Sequence, residues 1–419
     1  MSNMSQVKRV AGNDFDDFVV IALNAYPAFR AETKEDRDRI KKRLMKIERE
    51  DPVLSNYGLY RSGKLQGVMR LFDFTMTMFT TKLLAGGVGL VAVDLVHKKE
   101  KICKEMIDYF LKHYKKKGAC LTALYPFRPD FYRKMGFGYG TKLNQYTVRP
   151  ADFPPGGSKA NVHFLEKKDR KAMVDCYNRF AARTHGMMRK CKYELNMLER
   201  DHARFVGYKK GGRIQGYIAF NFKSAKKDNF ILNDMHILEF IYENREALME
   251  LATFLHSQAD QVNHIIYITQ DDLFHFFPTD PRNHTDNLMP PVGHESNTQG
   301  LGIMYRVIDT KGLFRKLKRH DFGGQSCRLK LSIKDDFFKE NAGGCIIDFA
   351  EGTPHLRKTG GHDIEIELDI ADFSSLIMGA VDFRTLYKYG LAEISNAGYL
   401  NTVNKIFLVD QRPVCTTHF

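Results

Sequence analysis

Nowhere in the 419 residues is there a run of about 18 apolar residues, and the N-terminal stretch MSNMSQVKRVAGNDFDD has no apolar signal-peptide core. Both absences argue against a membrane span and against secretion, and cytoplasmic residence is the expectation. Cysteine is sparse: seven residues without a CxxC pair, with Cys191 inside a basic run. Neither a disulfide framework nor a zinc site has support in that spacing. Arg-Gly-rich tails and zinc-finger spacings are also missing, and basic and acidic residues are interspersed through all three thirds of the chain. The net charge of +14 therefore does not point to nucleic acid, although phosphate neutralisation is one use of such charge. A solvated face together with a site for an anionic cofactor is the better account.

What is present suits a folded, multi-domain chain. The composition is 43% hydrophobic and 12% aromatic, enough apolar surface for packed cores, and a prior of roughly 150 residues per domain gives about three. Residues 58–71 (GLYRSGKLQGVMRL) overlay residues 207–220 (GYKKGGRIQGYIAF). Gly58, Gly63, Gln66 and Gly67 fall on Gly207, Gly212, Gln215 and Gly216, at an offset of 149 residues. Each copy reads as a β-hairpin, and the regular offset points to a duplicated unit. The segment PADFPPGGS (150–158) marks a boundary, as does the polar stretch 279–300. The expected divisions are 1–150, 151–290 and 291–419. The first has the strand–helix–strand order of an α/β sheet, and the last alternates strands and helices as an α+β domain.

Three segments carry chemistry. In VAVDLVHKKEKICKEMIDYFL (91–111) a strand runs through a basic turn into an amphipathic helix. An anion there would meet free backbone N–H groups, the positive end of the helix dipole, and Lys98, Lys99 and Lys101. The other reading is lysines that are merely solvated at the start of a surface helix. In FYRKMGFGYG (131–140), Tyr132 is either a proton donor or a ring packing the turn against Phe131 and Phe137. The terminal RPVCTTHF (412–419) would, by itself, read as a frayed tail.

The first segment resembles the signature Q/R-x-x-G-x-G/A of the GNAT acetyltransferases, which cradles the pyrophosphate of acetyl-CoA. Lys98 takes the Q/R place, and Lys101 and Cys103 the two small-residue places. The β-carbon at 101 is a departure, since glycine permits closer backbone approach. The second segment is similar to the family's Y-x-x-x-G-F element, which implies Tyr132 as general acid. With THGMMRK (184–190), YITQDDLFHFFPTDPR (267–282), GIMYRVIDTKGLF (302–314) and the terminal segment, the whole pattern resembles the Eis (enhanced intracellular survival) acetyltransferases. That resemblance implies two tandem GNAT-like units, the first catalytic and the second without a cofactor site, and a sterol-carrier-protein-like C-terminal domain. Consistent with this, the second unit's helix has Glu243 and Glu246 near its start and no lysine cluster.

The same resemblance implies the site residues. Val91, Ala92 and Val93 would flank the thioester arm. Lys98, Lys99, Glu100, Lys101, Ile102 and Cys103 would face the pyrophosphate, Phe127 and Arg128 the cofactor's far side, and the terminal carboxylate of Phe419 would act as base. It implies acetyl transfer to an amine in a ternary complex, without a metal, by a homo-hexamer. Aminoglycosides, polyamines and protein lysines are the acceptor classes. His418, neutral or charged, offers a polycation no attraction. The competing expectations are a tandem GNAT transferase using another acyl donor, and a non-catalytic carrier of an apolar ligand.

Overall fold

The computed structural model describes residues 5–27, 31 and 33–419. The first unit runs β1 (Gln6–Arg9), α1 (Asp14–Ala25), α2 (Lys34–Glu50), β2 (Leu54–Arg61), β3 (Lys64–Met78), β4 (Thr81–Val93), α3 (Ile102–Lys116), β5 (Leu121–Leu124), α4 (Pro129–Arg133) and β6 (Gly138–Tyr139). Strands β1 to β4 are antiparallel neighbours, and β5 lies parallel to β4. A strand from far downstream, Met304–Val307, inserts between β5 and β6 and completes the sheet. Apolar residues at helical spacing lay α3 on this sheet: Ile102, Met106, Ile107, Phe110, Leu111 and Tyr114 are all buried. Gly67 lets the helix approach, because a Cβ there would stand 2.7 Å from Ile102 Cγ2.

A second seven-stranded sheet holds Arg204–Lys210, Arg213–Lys226, Asn229–Tyr242 and Val262–Thr269, with helix Arg245–His256 on one face. Here Gly216 plays the part of Gly67, since a Cβ would meet Leu251 at 3.1 Å and Ala247 at 3.2 Å. Of the glycines shared by the two hairpins, the pair Gly67 and Gly216 therefore marks the same helix-on-sheet packing. The third unit is a five-stranded sheet that includes Cys327–Lys334, Gly343–Ala350 and Ile364–Asp369, covered by helices such as Ile370–Ile377 and Leu400–Phe407.

Sheet membership crosses the divisions read from sequence at 150 and 290. Leu143–Val148 and Asn297–Gly300 belong to the second sheet, and Met304–Val307 to the first. Pro- and Gly-rich composition locates a loop, whereas strand pairing decides which core a segment joins, and the two need not coincide.

The units interlock through buried groups. Helix Ile370–Ile377 rests on the glycines of the 131–140 motif: a Cβ at Gly138 would stand 2.0 Å from Ala371 O, and one at Gly136 would stand 2.6 Å from Arg306 Nη1. Arg306, on the inserted strand, makes a bidentate pair with Asp335 at 2.8 and 3.1 Å, and neither side chain is exposed. Apolar side chains of the first sheet, such as Phe74 and Tyr305, share one core cluster with Leu329, Ile366 and Phe373 of the third unit. A third junction centres on Phe79, at the tip of the β3–β4 hairpin. Its ring stacks on His185 at 4.5 Å and on His320 at 3.8 Å. The Phe79 N–H donates to His185 Nδ1 (3.1 Å), and His185 Nε2 lies 3.0 Å from Met378 O, so this ring is placed as the neutral Nε2–H tautomer.

Removing Asp335 alone should leave a buried guanidinium uncompensated. Asp335→Ala is expected to cost about 3–5 kcal/mol in denaturant unfolding, and the joint change Arg306→Met with Asp335→Leu much less. Desolvation lowers the pKa of both junction histidines to about 4, from an ordinary value of 6.5. Between these values the unfolded chain binds protons that the folded chain refuses. Their contribution to stability is complete above about pH 6.5 and is lost progressively down to about pH 4, so denaturation midpoints should fall across that window.

Candidate active site

Strands β4 and β5 pair only from Ala85 opposite Leu121 to Val88 opposite Leu124. Beyond these residues β5 ends, β4 continues, and a cleft opens between them. In the same stretch β4 bulges against β3: Val68 pairs with Ala92 and Arg70 with Gly89, and Leu90 is left at φ +49°. The Asp94 N–H donates back to Gln66 O on β3 at 2.9 Å. By strand alternation the polar backbone groups of Ala92 also face β3, while those of Val91 and Val93 face the open side. The Ala92 side chain is packed in the core with Val68. Of the three residues expected at the thioester arm, Val91 and Val93 therefore present their backbone, and Ala92 does not. The Val91 carbonyl accepts a hydrogen bond from the Tyr26 hydroxyl at 3.0 Å.

The basic turn takes up the backbone conformation that its glycine counterpart would supply. Lys99 (φ +70°) and Lys101 (φ +65°) are both left-handed. Lys101 is the N-cap of α3 and makes no side-chain cap bond, so the helix start offers its first N–H groups outward. Lys98, Lys99 and Lys101 are exposed. Glu100 points elsewhere: Arg61 reaches its carboxylate (3.2 Å) and its carbonyl (3.0 Å), and His97 also lies 3.2 Å away. The Glu100 charge is thereby engaged by Arg61 and not by the three lysines of the turn. Ile102 faces the core and offers only backbone. Burial pushes the half-buried Cys103 thiol up to about 12, so it stands neutral beside the turn.

Tyr132 sits on α4, a short helix opened by Pro129, and is almost fully buried. Its ring meets Phe131 and Phe137 edge-on at 5.5 and 6.0 Å, so the packing role is present geometrically. Tyr132 also lines the cleft cavity. Burial raises its phenol pKa well above the ordinary value, reinforced by Cys103 and Tyr26 nearby. Phe127 is largely exposed and edge-on to Tyr26 at 6.4 Å. Arg128 is paired with Asp130 at 2.6 Å, which neutralises the charge expected toward the cofactor.

The final segment is held rather than frayed. Thr141 Oγ1 donates to Pro413 O (2.7 Å), the Val414 N–H to His185 O (2.8 Å), and the Cys415 N–H to Gln270 Oε1 (2.5 Å). The Tyr177 hydroxyl lies 2.9 Å from Thr416 Oγ1. Gly186, at φ +90°, admits the tail, because a Cβ would stand 2.7 Å from Val414 O. These contacts bring the Phe419 ring against Phe74 (4.8 Å), Phe72 and Tyr125 (both 5.4 Å). Its terminal carbon lies 2.8 Å from where a Cβ on Gly89 would be. Tyr132 and Phe419 thus line one cavity of about 840 Å³. The clamp residues His185, Gly186 and Gln270 lie in segments that sequence reading had noted without assigning them chemistry.

The equivalent place in the second unit differs. Helix Arg245–His256 starts two residues after its strand, and Asn244 caps it through the Ala247 N–H at 2.9 Å. Glu243 is held by Arg179 and Arg213 at 2.6 and 2.8 Å. The grouping of metal-type ligands found among the described residues, Asp152, Asp280 and His284, is threaded by Arg149 and Arg282, which pair with its carboxylates.

Residues 6–140 match the model of a GNAT acetyltransferase domain, residues 181–307 match a second model of that description, and residues 314–416 match a sterol carrier protein domain. Two segments of the chain thus match GNAT acetyltransferase domain models, and a third matches a sterol carrier domain model. An uncharacterized N-acetyltransferase of Streptomyces griseus is 23% identical over 388 residues, 86% of this chain and 88% of that one. Among solved structures, a GCN5-related N-acetyltransferase from Anabaena variabilis superposes with a TM-score of 0.81 at 16% identity. An Eis protein from Mycobacterium abscessus gives 0.74 at 14%. Each comparison spans 99% of this chain and all of the other. The tandem GNAT fold, with its third domain, is therefore shared from end to end. In this protein Lys101→Gly should relieve a left-handed non-glycine residue and raise unfolding stability by about 1 kcal/mol, measured in denaturant.

Proposed function

We propose that the chain is an acetyl-CoA-dependent amine N-acetyltransferase working from its first GNAT domain, by direct attack of the amine in a ternary complex. The observation that carries this reading is the terminal carboxyl of Phe419 set over Gly89, where β4 and β5 part, in the cavity that Tyr132 also lines. The residues present fit the donor: a parted strand pair, a bulge, an uncapped helix start and a left-handed basic turn.

Acetyl-CoA supplies the thioester-activated acetyl group. The backbone of Val91 and Val93 holds the thioester arm, and one N–H acts as oxyanion donor. The α3 N-terminus, with the N–H groups of Ile102 and Cys103 and the ammonium groups of Lys98, Lys99 and Lys101, holds the pyrophosphate. Glu100, tied to Arg61, holds the turn in shape, and Phe127 and Arg128 border the far side. The Phe419 carboxylate accepts the amine proton, and Tyr132, kept protonated by burial, gives its phenolic proton to the departing sulfur. Homo-hexameric assembly, cytoplasmic residence and acceptors such as aminoglycosides, polyamines and protein lysines follow from the Eis resemblance as parts of this proposal.

The test is release of CoA thiol from acetyl-CoA across an amine panel. Removal of Phe419, and separately Tyr132→Phe, should each lower kcat at least about tenfold, equal to about 1.4 kcal/mol of barrier. Acetyl-CoA at 100 times its Kd should stabilise the protein by about 2.7 kcal/mol. Amine-independent behaviour with no stabilisation by acetyl-CoA would leave a carrier of apolar ligands, or a transferase of another acyl group, in its place.

A further inference from the structure

The cavity that holds the Phe419 carboxyl also holds a buried cation with an unmet hydrogen-bond donor. Arg70 on β3 stands directly opposite Gly89 on β4, and opposed residues of an antiparallel pair project to one face of the sheet. Its side chain therefore shares the face on which the terminal carboxyl lies. Arg70 is 5% exposed. Its Nε donates to Asn56 Oδ1 at 3.1 Å, its guanidinium lies 5.6 Å over the Tyr193 ring, and Nη2 has no hydrogen-bond partner. The nearby acid, Glu48, is committed elsewhere, to Arg9 at 3.2 Å and to Asn56 Nδ2 at 2.7 Å.

Further basic side chains line the cavity wall. Successive turns of α2 bring Arg39 and Arg43 to it, and the acid among them, Asp36, is paired with Arg39. Burial lowers the pKa of Arg70, against opposing contributions from Tyr193 and Glu48 and with a smaller one of the same sign from Arg43; a bound anion would act against burial. A guanidinium kept out of water with an unmet N–H is stabilised when an anionic oxygen occupies that N–H. A polycation entering the same space would bring further positive charge to it.

We propose that the acceptor is an amine that carries its own anionic group, a carboxylate or a phosphoryl group, received by Arg70 with Arg43 while the amine faces the Phe419 carboxyl. The inference rests on the acetyl-transfer reading of the same cavity and narrows its substrate class away from polycations. Matched amines test it: tyrosine against tyramine, glucosamine 6-phosphate against glucosamine, and spermidine as the polycation. The anion-bearing member of each pair should show kcat/KM at least tenfold above its partner, with spermidine lowest. Arg70→Met should collapse that ratio toward one, chiefly through KM, and Arg70→Lys should restore part of it. Arg43→Met, on the exposed side of α2, gives a partial loss in a variant whose folding is not at stake. Equal or better turnover of tyramine, glucosamine or spermidine overturns the proposal.

Calorimetry of tyrosine and glucosamine 6-phosphate without the acetyl donor separates the two readings. Binding that is lost in both the Arg70→Met and the Arg43→Met variants upholds the anion site even if no amine is acetylated. Equal binding in wild type and variants, or none in wild type, overturns it even if acetyl transfer to another amine is seen.

Discussion

The pair between Arg306 and Asp335 is the constraint on which the arrangement of the whole molecule turns. Two ionised side chains with no exposure are tolerable only when each satisfies the other, so the strand carrying Arg306 and the loop carrying Asp335 cannot part without leaving a bare charge. That strand lies between β5 and β6 of the first sheet, and Asp335 follows the central strand of the third. The pair thereby ties the first sheet, whose parted strands border the cleft, to the third unit. Helix Ile370–Ile377 of that unit seats α4, because Arg133 pairs with its Asp372 at 2.6 Å. Tyr132 inherits its place from a contact made by the residue after it.

The two GNAT units have diverged in what their equivalent strands do. In the first, the strand end opens into a basic turn and an uncapped helix. In the second, the helix begins at once and Asn244 supplies the cap. The second unit's material is spent on holding the final segment. Lys190, fully buried, pairs with Glu194 and Glu239, Tyr217 donates to Glu239 at 2.6 Å, and the Lys190 ammonium lies 4.0 Å over the Tyr177 ring whose hydroxyl reaches Thr416. A saturated ionic network of this kind is rigid, which suits a platform that must deliver a carboxyl group to a cleft in a neighbouring domain.

What the sequence made legible was local. The apolar spacing of α3, its lysine-rich approach and the duplicated hairpin each depend on residues within a turn or two of one another, and all three are present. Gly67 and Gly216 even keep the same packing role across the 149-residue offset. Non-local pairing was opaque. Residue identity did not show that Met304–Val307 would leave the domain next to it in sequence, or that Glu100 would turn to Arg61. Nothing in the sequence marks Arg70, since its unmet N–H is a matter of what surrounds it in space. The glycines of the 131–140 motif were visible, but their cause, a helix more than two hundred positions later, was not.

The insertion of Met304–Val307 also bears on how the chain is made. Emerging from the ribosome, the first unit has strands β1 to β5 within the first third of the chain, yet β5 and β6 wait with open backbone edges until the entire second unit has been translated. Unpaired strand edges recruit other strands. The first unit to be synthesised is thus among the last to be finished, and the second unit must fold beside a neighbour that is still incomplete.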